Sequence, residues 1–478
     1  MPTTEPSLLI RNAHAILTGL RGAAARCDAT DLRIEGEVVR ELGRGLAPRP
    51  GERVLDASGC VVYPGWVNTH HHLFQSLLKG VPAGINQTLS PWLKSVPYMY
   101  RRWCDEKHVR LAVRVGLVEL LRSGCTTVAD HHYLFQPGLG YDPAQLLFEE
   151  AEALGIRFML LRGGATAVRK LEVEVQLTRT TETFDEMVAS VEQTANRFHQ
   201  RGRGARCRVA MAPTSAHVSV PTEELAPIAR AARALGLQLH SHMSESVSYH
   251  EYCREVHNCL PIEYLARHEW LGPDVSLAHL VHLSPGEMRL LAETGTAIAH
   301  CPQSNARLAD GIAPAPELDR LGAPVSIGVD GAASNEAADM ISELHFTWLV
   351  HRALAGSRSR PRPEGEGEAG ADAVTVEQVV HWATAGGARV LGFEGVGSLQ
   401  PGEAADLAVY ALDDPRYMGL HDPAIGPIVS GGRPRLRWAL CAGKVVVEDD
   451  QIPGLDLERL GAEAREATRQ LVQAGVTP

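Results

Sequence analysis

The sequence has no apolar run approaching about 18 residues, so no segment is built to span a membrane. It also lacks any C-x-x-C pair; its nine cysteines are dispersed from Cys27 to Cys441. An odd, scattered set argues against a disulfide framework and for reduced thiols in the cytoplasm. The N-terminal stretch has no basic segment followed by a long apolar one, so no signal peptide is expected. Basic residues do not cluster and the net charge is −11, which argues against a nucleic-acid-binding face. A soluble, cytoplasmic globular protein is the expectation.

What is present is enough apolar residue, 45% of 478, to bury a large core. Both ends read as short strands with Gly and Asp at the turns: SLLIRNAHAIL, DLRIEGEVVREL and RVLDASGCVVYP at the start, ADLAVYAL and RWALCAGKVVVEDD near the finish. They predict a small β-sandwich domain assembled from residues 1–64 and 396–478, with a C-terminal helix, around a different unit at 65–395. Residues 355–373, rich in charge, Pro and Gly and poor in apolar side chains, read as a mobile surface loop.

The middle unit alternates apolar runs with helical patterns. Eight candidate strands follow one another: VVYPGWVNTH, TTVADHH, RFMLLRG, RVAMAPT, LQLHSH, VSLAHL, TAIAHC and PVSIGVD. Helix punctuation lies between several of them. One helix starts at Asp105 and stops at Gly124; another has Pro143 in its first turn and Gly155 beyond its end. A third has Ser284 and Glu287 in capping-box spacing and Gly295 as terminator. Apolar strands alternating with helices imply a parallel sheet covered on both faces. Eight units point to a (β/α)8 TIM-type barrel, with an open doubly wound sheet as the alternative.

Chemistry in such a barrel sits where strands end. The polar residues fall there: His70-His71-His72, Asp130-His131-His132, Arg162, Thr214, His240-Ser241-His242, His279, His300 and Asp330. Side-chain alternation lets His70 and His72 share a centre while His71 points away. His242 and Asp330 supply a third and fourth ligand, a set that suits one Zn(II), with Fe(II) as the alternative. The third and fourth strands contain no lysine that could bridge a second metal. Water on such a metal has its pKa lowered to roughly 7. Glu245 is the expected general acid/base, Asp330 the acceptor of the water's proton, and His279 the residue that orients the water and stabilises the tetrahedral intermediate. His71, His131, His132 and Tyr133 read as packing, second-layer or rim residues. His240 reads as a satisfied core histidine, His282 as a local packing residue, His300 and Asn305 as braces and Cys301 as buried and inert. His217 has no assigned role.

PGWVNTHHH, LHSHMSES, SLAHLVHL, AHCPQSN and GVDGAASN together resemble the metal-dependent amidohydrolase superfamily, in its heterocycle-deaminase branch. The resemblance spans essentially the whole chain, including HDPAIGP at 421–427, and implies the same ligands and the same catalytic roles for Glu245 and His279. HHHLFQSLLKG, LLRGGAT and DGAASNEAADMISE look most like isoxanthopterin (pterin) deaminases. The 8-oxoguanine deaminases look close, and s-triazine amino- or halohydrolases more distant. A fused 2-amino-4-oxo heterocycle needs polar partners and a flat wall. Gln75 is expected to read the ring amide, Arg162 to bind an oxo group, and Trp92 to form a wall or lid. A homo-oligomer is expected by analogy. A catalytically dead scaffold would lack a ligand or the glutamate, and this chain has them all.

Overall fold

The computed structural model describes residues 7–177, 180–358 and 374–476. Its centre is a parallel sheet of β1 (Trp66–Asn68), β2 (Cys125–His132), β3 (Arg157–Arg162), β4 (Cys207–Met211), β5 (Gln238–Met243), β6 (Val275–His279), β7 (Ala297–His300) and β8 (Val325–Ile327), paired in that order. The seam between β8 and β1 is bridged by Thr69 N to Ile327 O at 3.0 Å, Asp330 N to His70 O at 3.0 Å and Val329 N to Asn68 Oδ1 at 3.0 Å. The result is the expected eight-stranded barrel.

The helices between strands begin and end where their punctuation places them. Asp105 caps Glu106–Arg122, and Asp142 caps Pro143–Leu154 ahead of Gly155 at φ 75°. Ser284 and Glu287 close a capping box on Pro285–Thr294, which Gly295 ends at φ 71°. The expected loop at 355–373 differs: its first residues continue helix Met340–Arg358, and 359–373 lie outside the described residues.

Strand alternation divides the barrel's two faces. Val67, Ala129, Met159, Leu161, Ala210 and Ala212 join one interior apolar cluster. Val128, Phe158, Leu160 and Val209 belong to the cluster packed against the helices. These assignments decide which strand-end residues can reach the barrel mouth.

The apolar run that precedes the histidine triplet is split between two sheets at Gly65. Cys60–Pro64 pairs antiparallel with Leu407–Ala411 in a six-stranded sheet, while Trp66 onwards enters the barrel. A Cβ on Gly65 would lie 2.1 Å from Thr126 Oγ1, so only glycine allows this crossing. A second, four-stranded sheet orders Val38–Gly43, Asp31–Glu35, Ser7–Arg11 and Arg53–Asp56. Leu8, Ile10, Leu32, Val62, Val409 and Trp438 fill the layer between the two sheets. The C-terminal helix, Leu457–Val476, packs on barrel helix Glu106–Arg122. No helix among the described residues is long and apolar enough to cross a membrane.

Candidate metal centre and substrate cavity

β1 ends at Asn68, so the triplet lies in the loop beyond it. The backbone there stays extended because His131 N donates to His71 O at 2.7 Å on one side and Asp330 N to His70 O on the other. Alternation therefore persists: the His70 and His72 rings lie 4.8 Å apart, and each lies about 5 Å from His242, at 4.9 and 5.2 Å. His71 turns away, its Nδ1 accepting from His72 N at 2.7 Å.

The tautomers of these rings are set by their outer nitrogens. His72 Nδ1 donates to His131 O at 2.7 Å, and His242 Nδ1 donates to Thr214 O at 2.5 Å. Both Nε2 atoms must then be bare when the rings are neutral, yet they face each other at 3.1 Å. His70 Nδ1 pairs with His240 Nε2 at 2.9 Å, and His240 Nδ1 with Ser276 Oγ at 2.8 Å. His70 Nε2 is buried without a hydrogen bond, 3.4 Å from Asp330 Oδ1. Burial pushes the imidazoles of His70, His72 and His242 below their usual range, so they stay neutral. Burial opposes ionisation of Asp330, but the surrounding imidazoles, His70 foremost, hold its carboxyl well below the ordinary value. Facing lone pairs and a carboxylate with no proton between them repel one another. A divalent cation resolves that repulsion, and neutral imidazoles held from behind are the form that binds one. The donor set fits the expected metal.

The sequence reading missed one imidazole. His131 Nε2 donates to Ala212 O at 2.8 Å, while its Nδ1 is buried and unpartnered. Its ring stands 4.7 Å from that of His242, and its ligand atom lies within 4.8 Å of those of His70, His72 and His242. The signal was available: His131 shares strand parity with the interior residue Ala129, whereas His132 points outward and packs on Phe74 and Phe135.

Asp330 Oδ2 accepts from Ser304 Oγ at 2.6 Å and Ser334 Oγ at 3.1 Å, leaving Oδ1 toward His70 and His72. His279 Nδ1 donates to Asn305 Oδ1 at 2.9 Å, which aims Nε2 at Glu245 Oε1, 3.5 Å away. Glu245 Oε2 accepts from Tyr249 Oη at 3.4 Å. Burial first, then the charge of Asp330, raises the Glu245 carboxyl well above its usual value, which favours its acid form. Ser244, His279 and Asp330 have φ of 52°, 76° and 60°, left-handed values that cost energy in non-glycine residues and gather here at three strand ends.

These groups form the floor of a cavity of about 650 Å³, a size suited to a small ligand. Gln75 and Trp92 line it. Gln75 Nε2 donates to Tyr133 Oη at 3.2 Å, its Oε1 is buried without a partner, and its amide fills the space where Gly331 has no Cβ. Trp92 Nε1 donates to Ala333 O at 3.2 Å. Trp92 and Tyr98 are carried by a helical stretch with a π-helical turn at Lys94–Tyr98.

Arg162 is a correction. It shares parity with the outward Leu160, is 1% exposed, and binds Glu182 through both Nη atoms and Ser190 Oγ at 2.8 Å. It also stacks over Phe135 at 4.2 Å and does not line the cavity. The guanidinium that does is Arg169. It lies 4.9 Å over Tyr98, donates to Glu172 at 2.7 Å and keeps a buried, unpartnered Nε. Arg101 shares Glu172 at 3.4 Å, so two guanidinium groups meet one carboxylate and this wall is net positive. His300 pairs with His351 at 2.9 Å away from the cavity, Cys301 is buried, and His217 lies in the cavity wall.

The sequence profile of the amidohydrolase family matches residues 61–446. Over 474 residues, 98% of each chain, this sequence is 54% identical to an isoxanthopterin deaminase from an unknown prokaryotic organism. It is 40% identical over 470 residues to the 8-oxoguanine deaminase of Pseudomonas aeruginosa, covering 97% of this chain and 98% of that one. Among solved structures it is similar to the atrazine chlorohydrolase of Arthrobacter aurescens TC1 complexed with zinc. There the TM-score is 0.87 at 28% identity, over 96% of this chain and 100% of that one.

Proposed function

We propose that this chain, which belongs to the amidohydrolase family, is a metal-dependent hydrolytic deaminase of an oxidised 2-amino-4-oxo fused heterocycle. It is a hydrolase of C–N bonds, as its relatives are. Isoxanthopterin is the first substrate and 8-oxoguanine the alternative. The observation that carries the reading is the juxtaposition of His70, His72, His242 and Asp330 with Glu245 and His279 at the floor of one cavity.

His70, His72, His242 and Asp330 would hold one divalent cation, Zn(II) before Fe(II). When bound, it supplies Lewis acidity and lowers the pKa of water to about 7. Asp330 Oδ1 takes the proton of the attacking water, and Glu245 delivers its own proton to the ring nitrogen next to the attacked carbon. His279, oriented by Asn305, stabilises the negative charge that develops on the added oxygen as its remaining proton leaves. Glu245, emptied by that transfer, takes the proton left on the added oxygen and passes it to the amino group, which leaves as ammonia. The carbon keeps an oxo group, and the proton held by Asp330 restores the acid form of Glu245. Gln75 and Tyr133 read the ring amide, Arg169 faces electron-rich oxo groups, and Trp92 covers the ring.

Ammonia release across isoxanthopterin, pterin, 8-oxoguanine, guanine and aminotriazines tests the assignment. The expected order begins with isoxanthopterin; if triazines turn over at least as fast as both oxidised bicycles, the substrate class is wrong. Elemental analysis is expected to give one metal per chain, and about two would refute the mononuclear centre. We also propose a cytoplasmic homo-oligomer, for which light scattering at the monomer mass is the contrary result.

A further inference from the structure

His217 takes no part in that chemistry. It follows β4, lines the cavity and is 6% exposed. Its side chain makes no hydrogen bond to any described residue, and its Nδ1 is fully buried. The ring packs on Tyr249 at 4.1 Å and 38°, with Tyr252 at 5.6 Å. Phenylalanine would meet that packing need without leaving polar atoms unsatisfied. With Nδ1 enclosed, Nε2 is the nitrogen left to meet what enters the cavity.

Its position says which part of the ligand that is. Tyr249, on which His217 stacks, donates to Glu245, so His217 stands one side chain beyond the acid that serves the reacting carbon. The loop that carries Arg169 meets it there, since Thr166 N and Ala167 N both donate to Ser219 O, at 2.9 and 3.0 Å. Burial pushes the His217 imidazole down to about 3, so the ring is neutral and offers one donor and one acceptor.

We propose that His217 is a specificity-determining residue that hydrogen-bonds the lactam edge of the substrate's second, oxidised ring, distal to the carbon that loses ammonia. The inference rests on the fused-heterocycle reading above. A neutral imidazole free to take either tautomer matches the C=O or the N–H of a lactam. The unoxidised parent ring has neither group.

The test measures kcat and KM for isoxanthopterin and for pterin, which lacks the second-ring oxo group, in the metal-loaded wild type, His217→Phe and His217→Asn. His217→Phe is expected to lower the isoxanthopterin-to-pterin ratio of kcat/KM by about 10- to 100-fold, mainly through KM of the oxidised ring. His217→Asn, which keeps a donor and an acceptor, recovers part of the ratio. An unchanged ratio, or equal losses on both substrates, overturns the proposal and leaves the deaminase reading intact. A wild type that turns over neither bicycle overturns that reading, and this one with it.

Discussion

In the proposed mechanism Glu245 arrives at the reaction with a proton, and its surroundings favour that form. Burial and the neighbouring Asp330 charge both disfavour its carboxylate, so the acid form persists above the ordinary carboxylate range. The sign follows: as pH rises through this raised value the acid is lost, and kcat/KM declines on the alkaline side. Glu245→Gln cannot donate, so turnover is expected to fall by about 10²–10⁴-fold with metal content unchanged by elemental analysis. Lost metal would instead make Glu245 a ligand. Most of this centre was legible in the sequence because ligands at strand ends obey a period of two. The same rule, applied to Ala129 and Leu160, would also have turned His131 inward and Arg162 outward. Arg169 and His217 were not legible, because loop residues without a fixed period reach the cavity only through tertiary packing.

At the scale of an element, β3 shows what a strand-end charge does when it faces outward. Arg162 ties the end of β3 to Glu182 and to Ser190 on helix Phe184–Phe198, with both partners of the ion pair nearly sequestered from water. Removing one partner of such a pair strands the other, at a cost of about 3–5 kcal/mol. Arg162→Met is therefore expected to lower thermal stability strongly while leaving KM close to that of the wild type. Arg169→Met, on the cavity wall, is expected to raise KM by about tenfold, the loss of one hydrogen bond to a charged group. If Arg162→Met raised KM as much as Arg169→Met, the outward assignment of Arg162 would be wrong. The strand and helix order was readable in advance from caps, glycines and apolar periodicity. The division at Gly65 was only half legible: the sequence reading set a boundary at 64/65, yet it took VVYPGWVNTH as one strand although the turn-prone pair Pro64-Gly65 interrupts the run.

Across the whole molecule, one buried ion pair joins the barrel to the terminal sheets. Arg157, at the start of β3, donates to Asp406 at 2.5 and 3.1 Å, and neither side chain is exposed. Asp406 immediately precedes strand Leu407–Ala411 and accepts Ala442 N at 2.6 Å, while Arg157 also donates to Gly204 O and Ala205 O. The pair thus fixes the closed end of the barrel, opposite the mouth, to a sheet drawn from both termini. Arg157→Met leaves the Asp406 carboxylate buried without its counter-ion, which costs about 3–5 kcal/mol. Because the cost falls on the junction, unfolding of the variant is expected to start at a lower temperature and to separate into two calorimetric transitions. A second change, Asp406→Asn, removes the stranded charge and should restore part of the loss, so the two substitutions are not additive. The proposed catalytic residues are at the other end of the barrel, so kcat at low temperature should stay near the wild-type value. A single transition with the wild-type midpoint in Arg157→Met would show that apolar packing alone joins the two parts.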